Sequence, residues 1–447
     1  MDIKVAFDLN GKSLLGKVRI ICGFLLGLAI LSGVLLVPYN CYAGRVYIDI
    51  TSPYLKKIPI AIPYLSSPSG SFEDRIMGKR LSIMMSRDLT FQGYFSVLNP
   101  DSYGGSASTN WTKFRVDYVI TGKLVRNGNA LTVDLRLFSL SSGQQLVGRR
   151  YIGKVEDLRL IAHKFCDLTV RAITGQPGIS LSRIAMVVSK KQKKYVYVCD
   201  FDGQELLKET SSGAIVVTPK ISPDGRWLAY TSYKSGRPCI YIENIISHTT
   251  KLLCSYKGLN IAPSWSPDGR KLVVTLSKGG NSDLYLVNLH GKIIKRLTYG
   301  PGINVSGTWS PDGTKIAFVS NREGSPQIYI MDLKTGFIRR LTYIGNYNTD
   351  PSWSPMGDEI AYTGLIDSRF EIFTIPVTGG NPHQLTETGD NQSPSWSPDG
   401  RQIVFSSRRG GAKSALYVMY SNGSHVRLLL RVKGASVTSP DWGPDRR

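Results

Sequence analysis

The chain has 447 residues, of which 42% are hydrophobic, and it contains 45 glycines and 23 prolines. This length exceeds one ordinary hydrophobic core, and the composition is typical of a folded, turn-rich protein, so we expect two domains and little disorder. The formal net charge of +22 would suit nucleic acid, anionic lipid or an acidic protein partner. The densest basic cluster, at residues 190–194, has no aromatic residues arranged for base stacking, which favours a solvated surface over a nucleic-acid site.

Residues 1–43 differ from the rest of the chain. Four basic residues precede an apolar run at residues 20–37, and a small-residue cleavage site lies between Ala43 and Gly44. This pattern predicts a cleaved signal peptide and an exported, soluble product. A retained membrane anchor is the alternative, because eighteen apolar residues can just span a bilayer. Cleavage would remove four basic and two acidic residues and leave a charge of +20.

Residues 44–177 lack internal repeats and predict a small α/β domain. Strands are expected at residues 45–50 and 58–65, and a helix from Ser71 to Gln92, capped by Ser71. Three strands of a meander follow. A second helix, with one apolar face, is expected to end at Gly175.

Residues 178–447 repeat with a period of 44, marked by an aromatic residue at Tyr197, Tyr241, Tyr285, Tyr329, Phe373 and Tyr417. Each unit contains four short apolar runs separated by turn residues. The pattern predicts an all-β six-bladed β-propeller of four-stranded antiparallel blades. The first unit lacks an inner strand and the last unit has only that strand, so we expect residues 440–442 to pair with residues 184–188 and close the ring.

The motif S-P-D-G, as in "SWSPDGRKL" at residues 264–272, occurs at the same point of the repeat. Pro, Asp and Gly each suit a tight hairpin turn, and the tryptophan before the motif suits packing between blades. Copies on separate blades cannot converge on one substrate. The motif therefore predicts a structural turn and not a catalytic site.

The loops entering the inner strands contain Asn260, Asn304, Asn348 and Asn391. Two hypotheses stay open for these amides. They form a polar docking rim around one mouth of the central channel, or Asn merely suits the local turn.

Catalytic and metal motifs give little support for an enzyme. The chain has no C-x-x-C, H-E-x-x-H or G-x-S-x-G motif, so we expect no metal and no cofactor. Asp350 and Asp390, at the predicted channel mouth, leave one alternative: an exported propeller hydrolase or carbohydrate-binding protein that uses these acids. Cys239 and Cys254 flank one predicted hairpin, so they form either a disulfide or two small buried apolar side chains.

The order of an export signal, a small α/β domain, six W-S-P-D-G blades and a closing "SPDWGPD" strand resembles the TolB family of the Tol-Pal system. The resemblance covers the whole mature chain. It implies a non-enzymatic periplasmic adaptor that binds the lipoprotein Pal and the inner-membrane protein TolA, and that supports outer-membrane integrity and envelope constriction during cell division. Other outer-membrane lipoproteins are further candidate partners; nucleic acid and an integral anchor in the mature chain are not expected.

The resemblance also implies contact residues for the two partners. The Pal contacts correspond to loop residues at the propeller mouth: Leu259, Asn260, Ala262, Asn304, Val305, Asn348 and Asn391. The TolA contact corresponds to the mature N-terminus: Gly44, Arg45, Val46, Tyr47, Ile48, Asp49 and Ile50.

Overall fold

A computed structural model describes residues 57–210 and 213–445. The predicted signal peptide, the strand at residues 45–50 and the TolA-binding stretch lie outside the described residues. Within the described part of the chain, no helix combines the length and apolar character needed to cross a membrane.

The α/β domain is a five-stranded sheet with two helices. In chain order its elements are β1 (Ile58–Ala61), α1 (Phe72–Phe91), β2 (Phe95–Leu98), β3 (Tyr118–Asn127), β4 (Ala130–Ser139), β5 (Gln145–Lys154) and α2 (Leu158–Thr174), with 3₁₀ turns at Pro100–Tyr103, Trp111–Phe114 and Val155–Asp157. The strand order is β2-β1-β3-β4-β5, in which β1 runs parallel to β2 and β3 and the others are antiparallel. The predicted meander is β3 to β5; the strand β2 was not predicted.

Both predicted helices are present. The hydroxyl of Ser71 accepts a hydrogen bond from the Asp74 amide and so caps α1. Gly175, which has a φ of 75°, ends α2 in the left-handed conformation that glycine adopts without strain. The apolar face of α2, with Ile161 and Phe165, packs into the core of the domain.

The propeller has six four-stranded blades, as the repeat predicts. Blade 1 contains β6 (Ser182–Lys190), β7 (Lys193–Asp200) and β8 (Leu207–Lys208); blade 2 contains β9 (Val216–Ile221), β10 (Trp227–Ser232), β11 (Cys239–Asn244) and β12 (Thr250–Cys254); blade 3 contains β13 (Asn260–Trp265), β14 (Lys271–Leu276), β15 (Asp283–Asn288) and β16 (Ile293–Arg296). Blade 4 contains β17 (Asn304–Trp309), β18 (Lys315–Ser320), β19 (Gln327–Asp332) and β20 (Ile338–Arg340); blade 5 contains β21 (Asn348–Trp353), β22 (Glu359–Ile366), β23 (Arg369–Pro376) and β24 (His383–Gln384); blade 6 contains β25 (Asn391–Trp396), β26 (Gln402–Ser407), β27 (Ala415–Tyr420) and β28 (Arg427–Leu430). We propose that the boundary between the two domains lies at the predicted residue 177, between α2 and β6.

The last strand, β29 (Ser436–Asp445), completes blade 1 as its inner strand. It runs antiparallel to β6, with Val437 opposite Val188 and Trp442 opposite Ile184. The predicted closure of the ring is confirmed.

The S-P-D-G motifs form the turns between inner and second strands. In blade 4 the Asp312 carboxylate accepts hydrogen bonds from the Ser310 hydroxyl and the Thr314 amide, and Gly313 has a φ of 69°. The tryptophan before the motif joins neighbouring blades, because Trp309 Nε1 donates to the carbonyl of Ser264 in blade 3. The motif is a structural turn, as predicted.

The two predicted disulfide partners are free, buried thiols, which corrects the disulfide hypothesis. Cys254 lies opposite Ile240 and packs with it between blades 2 and 3. Cys239 is the residue before Ile240 and therefore points to the other face of the sheet, where it packs with Tyr241 against blade 1. Their thiols sit on opposite faces of one blade.

The α/β domain packs against blades 6 and 1 partly through aromatic side chains. The ring of Phe91 in α1 lies 4.9 Å from that of Phe201 and 6.4 Å from that of Trp442. The guanidinium of Arg401 lies 3.3 Å from the ring centroid of Tyr94, a cation–π contact.

A buried charged cluster forms the other part of this contact. Arg159 in α2 donates to Asp200, the last residue of β7, at 2.8 Å, and to Asp202, in the turn that follows, at 2.7 Å. His163 Nδ1 lies 2.6 Å from the Asp88 carboxylate, and its Nε2 lies 3.6 Å from Asp200. Burial alone would lower the pKa of His163, but its interactions with Asp200 and Asp88 outweigh burial and raise the pKa to about 9.

Stability should therefore depend on pH through His163. Because its folded pKa is raised above the unfolded value, the stabilisation is fully present below about pH 6.5 and is lost as the pH rises through about 9. Urea unfolding of the wild type and His163→Gln should show a difference in free energy that shrinks by up to ~3 kcal/mol across that range. The exposed His290→Gln variant is the control, and a pH-independent difference for His163→Gln would contradict the assignment.

Candidate docking site at the propeller mouth

Six loops lead from the outer strand of one blade to the inner strand of the next, and we call the end of the ring that they form the propeller mouth. The residues that immediately precede the inner strands are Ile215, Leu259, Ile303, Tyr347, Asp390 and Ala435. The four predicted asparagines are the first residues of β13, β17, β21 and β25. The repeat thus places all four at equivalent positions around the channel.

The asparagine side chains are buried, so of the two open hypotheses the structure favours the local structural role over a polar docking rim. In three blades the amide nitrogen donates to a buried polar residue near the start of the third strand of the preceding blade; these pairs are Asn304–Asp283, Asn348–Gln327 and Asn391–Glu371. The same three acceptors receive the hydroxyl hydrogens of Thr298, Thr342 and Thr386. A polar triad therefore ties each of these loops to its blade.

Two other inner strands depart from this triad, and in each the residue at the acceptor position differs. Where Cys239 replaces the polar acceptor, Asn260 donates instead to the carbonyls of Pro238 and Tyr256. Where Ala415 occupies that position, the inner strand has Val437 and no amide. Asparagine therefore occurs where the preceding blade or the loop offers a hydrogen-bond acceptor to its amide nitrogen. This local structural role explains why the residue recurs.

Four of the six mouth loops carry exposed apolar residues. Ile215, Leu259, Ile303 and Tyr347 each precede an inner strand and have between 37% and 51% of their surface exposed. Three further exposed apolar residues lie in the same loops: Tyr299, Tyr343 and Ile344. Contiguous exposed apolar residues typically mark an interaction surface.

Of these, only Leu259 was predicted as a contact. Ile303 and Tyr347 occupy the same position directly before an asparagine, but the repeat alone does not show that their side chains are exposed. The other two predicted contacts are less exposed: Val305 is half-buried against blades 4 and 5, and Ala262 lines the channel.

The channel narrows just behind the mouth. One residue near the start of each inner strand has a positive φ of 51–55°; these are Thr218, Ala262, Ser306, Asp350, Ser393 and Ser439. With the prolines that follow most of them, these residues enclose a cavity of about 100 Å³.

The two acids of the catalytic alternative have separate partners. Asp350 accepts a hydrogen bond from the Ser393 hydroxyl at 3.0 Å, and burial raises its pKa. Asp390 lies in a mouth loop, 3.3 Å from the guanidinium of Arg408. The propeller histidines lie on four different blades, at His248, His290, His383 and His425. No histidine among these therefore joins the two acids in one site.

Removing one amide should test its structural role. Asn304→Ala removes the donor to Asp283 and the acceptor of the Arg322 guanidinium, so unfolding free energy should fall by about 1–3 kcal/mol. The neighbouring variant Ile303→Ala, at an exposed position, should change it by less than about 0.5 kcal/mol. Urea denaturation measures both, and equal small effects would contradict the role assigned to Asn304.

Comparisons with known proteins agree with this architecture. The family model described as "TolB beta propeller domain" matches residues 170–446, and that described as "TolB amino-terminal domain" matches residues 46–146. The "Tol-Pal system protein TolB" of Desulfosudis oleivorans is 39% identical over 246 residues, covering 53% of this chain and 56% of the relative. The "Protein TolB homolog" of Chlorobaculum tepidum is 39% identical over 223 residues, covering 48% of this chain and 51% of the relative.

These matches mean that the chain spans about half the length of the curated relatives it matches. The crystal structure of TolB from Acinetobacter baumannii is similar over 87% of this chain and 97% of that chain, with a TM-score of 0.76 and 29% identity.

Proposed function

The chain belongs to the TolB family, and on that premise we propose that it is a non-enzymatic periplasmic adaptor of the Tol-Pal system. The observation that best supports binding over catalysis is the set of exposed apolar residues in four loops of the propeller mouth. In this proposal the mouth binds Pal and the mature N-terminus binds TolA. The adaptor thereby supports outer-membrane integrity and envelope constriction during cell division.

The mouth is suited to docking because its shape is fixed before a partner arrives. The buried asparagine, acid or amide, and threonine triads tie three of its loops to the blades. A preformed surface loses little conformational entropy on binding. The net charge of +22 would further favour encounter with an acidic partner.

Charge placed in the mouth should therefore weaken Pal binding without unfolding the protein. The double variant Ile303→Asp/Tyr347→Asp introduces two carboxylates at exposed positions, and binding to the soluble domain of Pal should weaken at least tenfold, or about 1.4 kcal/mol. Isothermal titration calorimetry measures the affinity. The matched control is Phe337→Asp, an exposed position in the turn between β19 and β20, which should bind Pal as the wild type does.

Unchanged Pal affinity in the double variant would rule out the mouth as the Pal site. If wild-type protein shows no binding to Pal, the adaptor proposal itself is wrong. Turnover lost on Asp350→Asn or Asp390→Asn would instead support the hydrolase alternative.

The N-terminal contact needs a separate experiment. Residues 44–50 alternate in apolar character, as an extended segment adding to a partner's sheet edge would require. Deleting residues 44–52 should abolish TolA binding in a pull-down while leaving Pal affinity unchanged. Retained TolA binding would contradict this assignment.

A further inference from the structure

One contact between blades breaks the apolar pattern of the repeat. In the other five contacts, a leucine near the end of an outer strand faces an apolar residue on the third strand of the next blade. These pairs are Leu253–Val287, Leu297–Met331, Leu341–Ile375, Leu385–Met419 and Leu429–Cys199. Between blades 1 and 2, the same two positions are Glu209 and Glu243.

Both carboxylates are buried. The side chain of Glu209 is 1% exposed, and neither of its oxygens has a hydrogen-bond partner within the described part of the chain. Tyr230 Oη donates to Glu243 at 3.1 Å and fixes the orientation of that carboxylate. Burial raises the pKa of both carboxyl groups, because a buried site disfavours a charged carboxylate.

A histidine completes the cluster. His248, in the turn between β11 and β12, places Nδ1 3.4 Å from Glu209, and its side chain is 64% exposed. One ligand atom from each of Glu209, Glu243 and His248 lies within 4.8 Å of the others. Among residues 57–210 and 213–445, no lysine or arginine forms an ion pair with either carboxylate.

We propose that Glu209, Glu243 and His248 form a binding site for a divalent transition-metal ion, with Zn²⁺ as the best match. Two carboxylate oxygens and one neutral imidazole nitrogen are ligands that zinc accepts in proteins, and two negative charges balance one divalent cation. The exposed imidazole opens the site to solvent. The ion would join blades 1 and 2 where the other contacts use apolar packing.

Calorimetric titration of Zn²⁺ into chelator-treated mature protein tests the site. Wild-type protein should show one saturable site that depends on the cluster, and Zn²⁺ should raise its melting temperature. His248→Ala, which changes an exposed residue, should weaken zinc binding at least about tenfold. The control His290→Ala alters the equivalent turn of blade 3, where the outer-strand and third-strand positions are apolar, and should bind as the wild type does.

A second variant separates binding from folding. Glu209→Leu/Glu243→Val restores the apolar pair of the neighbouring contact, so it should fold with at least wild-type stability and lose the zinc site. Wild-type protein without a saturable zinc site would overturn the proposal. Zinc affinity unchanged in this double variant or in His248→Ala would also overturn it.

Discussion

The pairing of β29 with β6 is the constraint on which the other features depend. It converts six blades into a closed ring and removes the exposed sheet edges that an open array would have. Trp442 of the closing strand also contacts Phe91 of the α/β domain, so closure and domain contact share one side chain. Blade 1, completed in this way, supplies Asp200 and Asp202 to the charged cluster with α2.

Periodicity explains how much of the fold could be predicted from sequence. A 44-residue period with alternating apolar residues predicts the number of strands, the positions of the turns and the closure of the ring. It does so because each blade repeats the same order of four strands and connecting turns. The α/β domain has no such internal comparison. The four-residue strand β2 was missed there because a short apolar run after a helix looks like a loop, and its parallel pairing with β1 depends on long-range contacts.

The candidate site was harder to predict for a physical reason. Asn304 and Asn348 were recognised from their position, but whether an amide faces solvent depends on a partner about twenty residues away. Asp283 and Gln327, the partners, recur at the same point of the repeat, so the signal was present in the sequence. Exposed apolar residues such as Ile303 carry no motif and are visible only once burial is known.

A residue that departs from the repeat has a different structural consequence at an exposed position than at a buried one. Met356 replaces the aspartate of one S-P-D-G turn at an exposed position, where a lost hydrogen bond costs little and the turn persists. Glu209 and Glu243 replace apolar residues at buried positions, where desolvation of each charge is costly and neither oxygen of Glu209 has a hydrogen-bond partner among the described residues. Five of the six contacts between blades are apolar at these positions, and the contact between blades 1 and 2 is not. The ring can tolerate this polar contact because the strand pairings within each blade hold the backbone in place. The repeat therefore serves as an internal reference, and a buried polar departure from it is the stronger indication of a specific role.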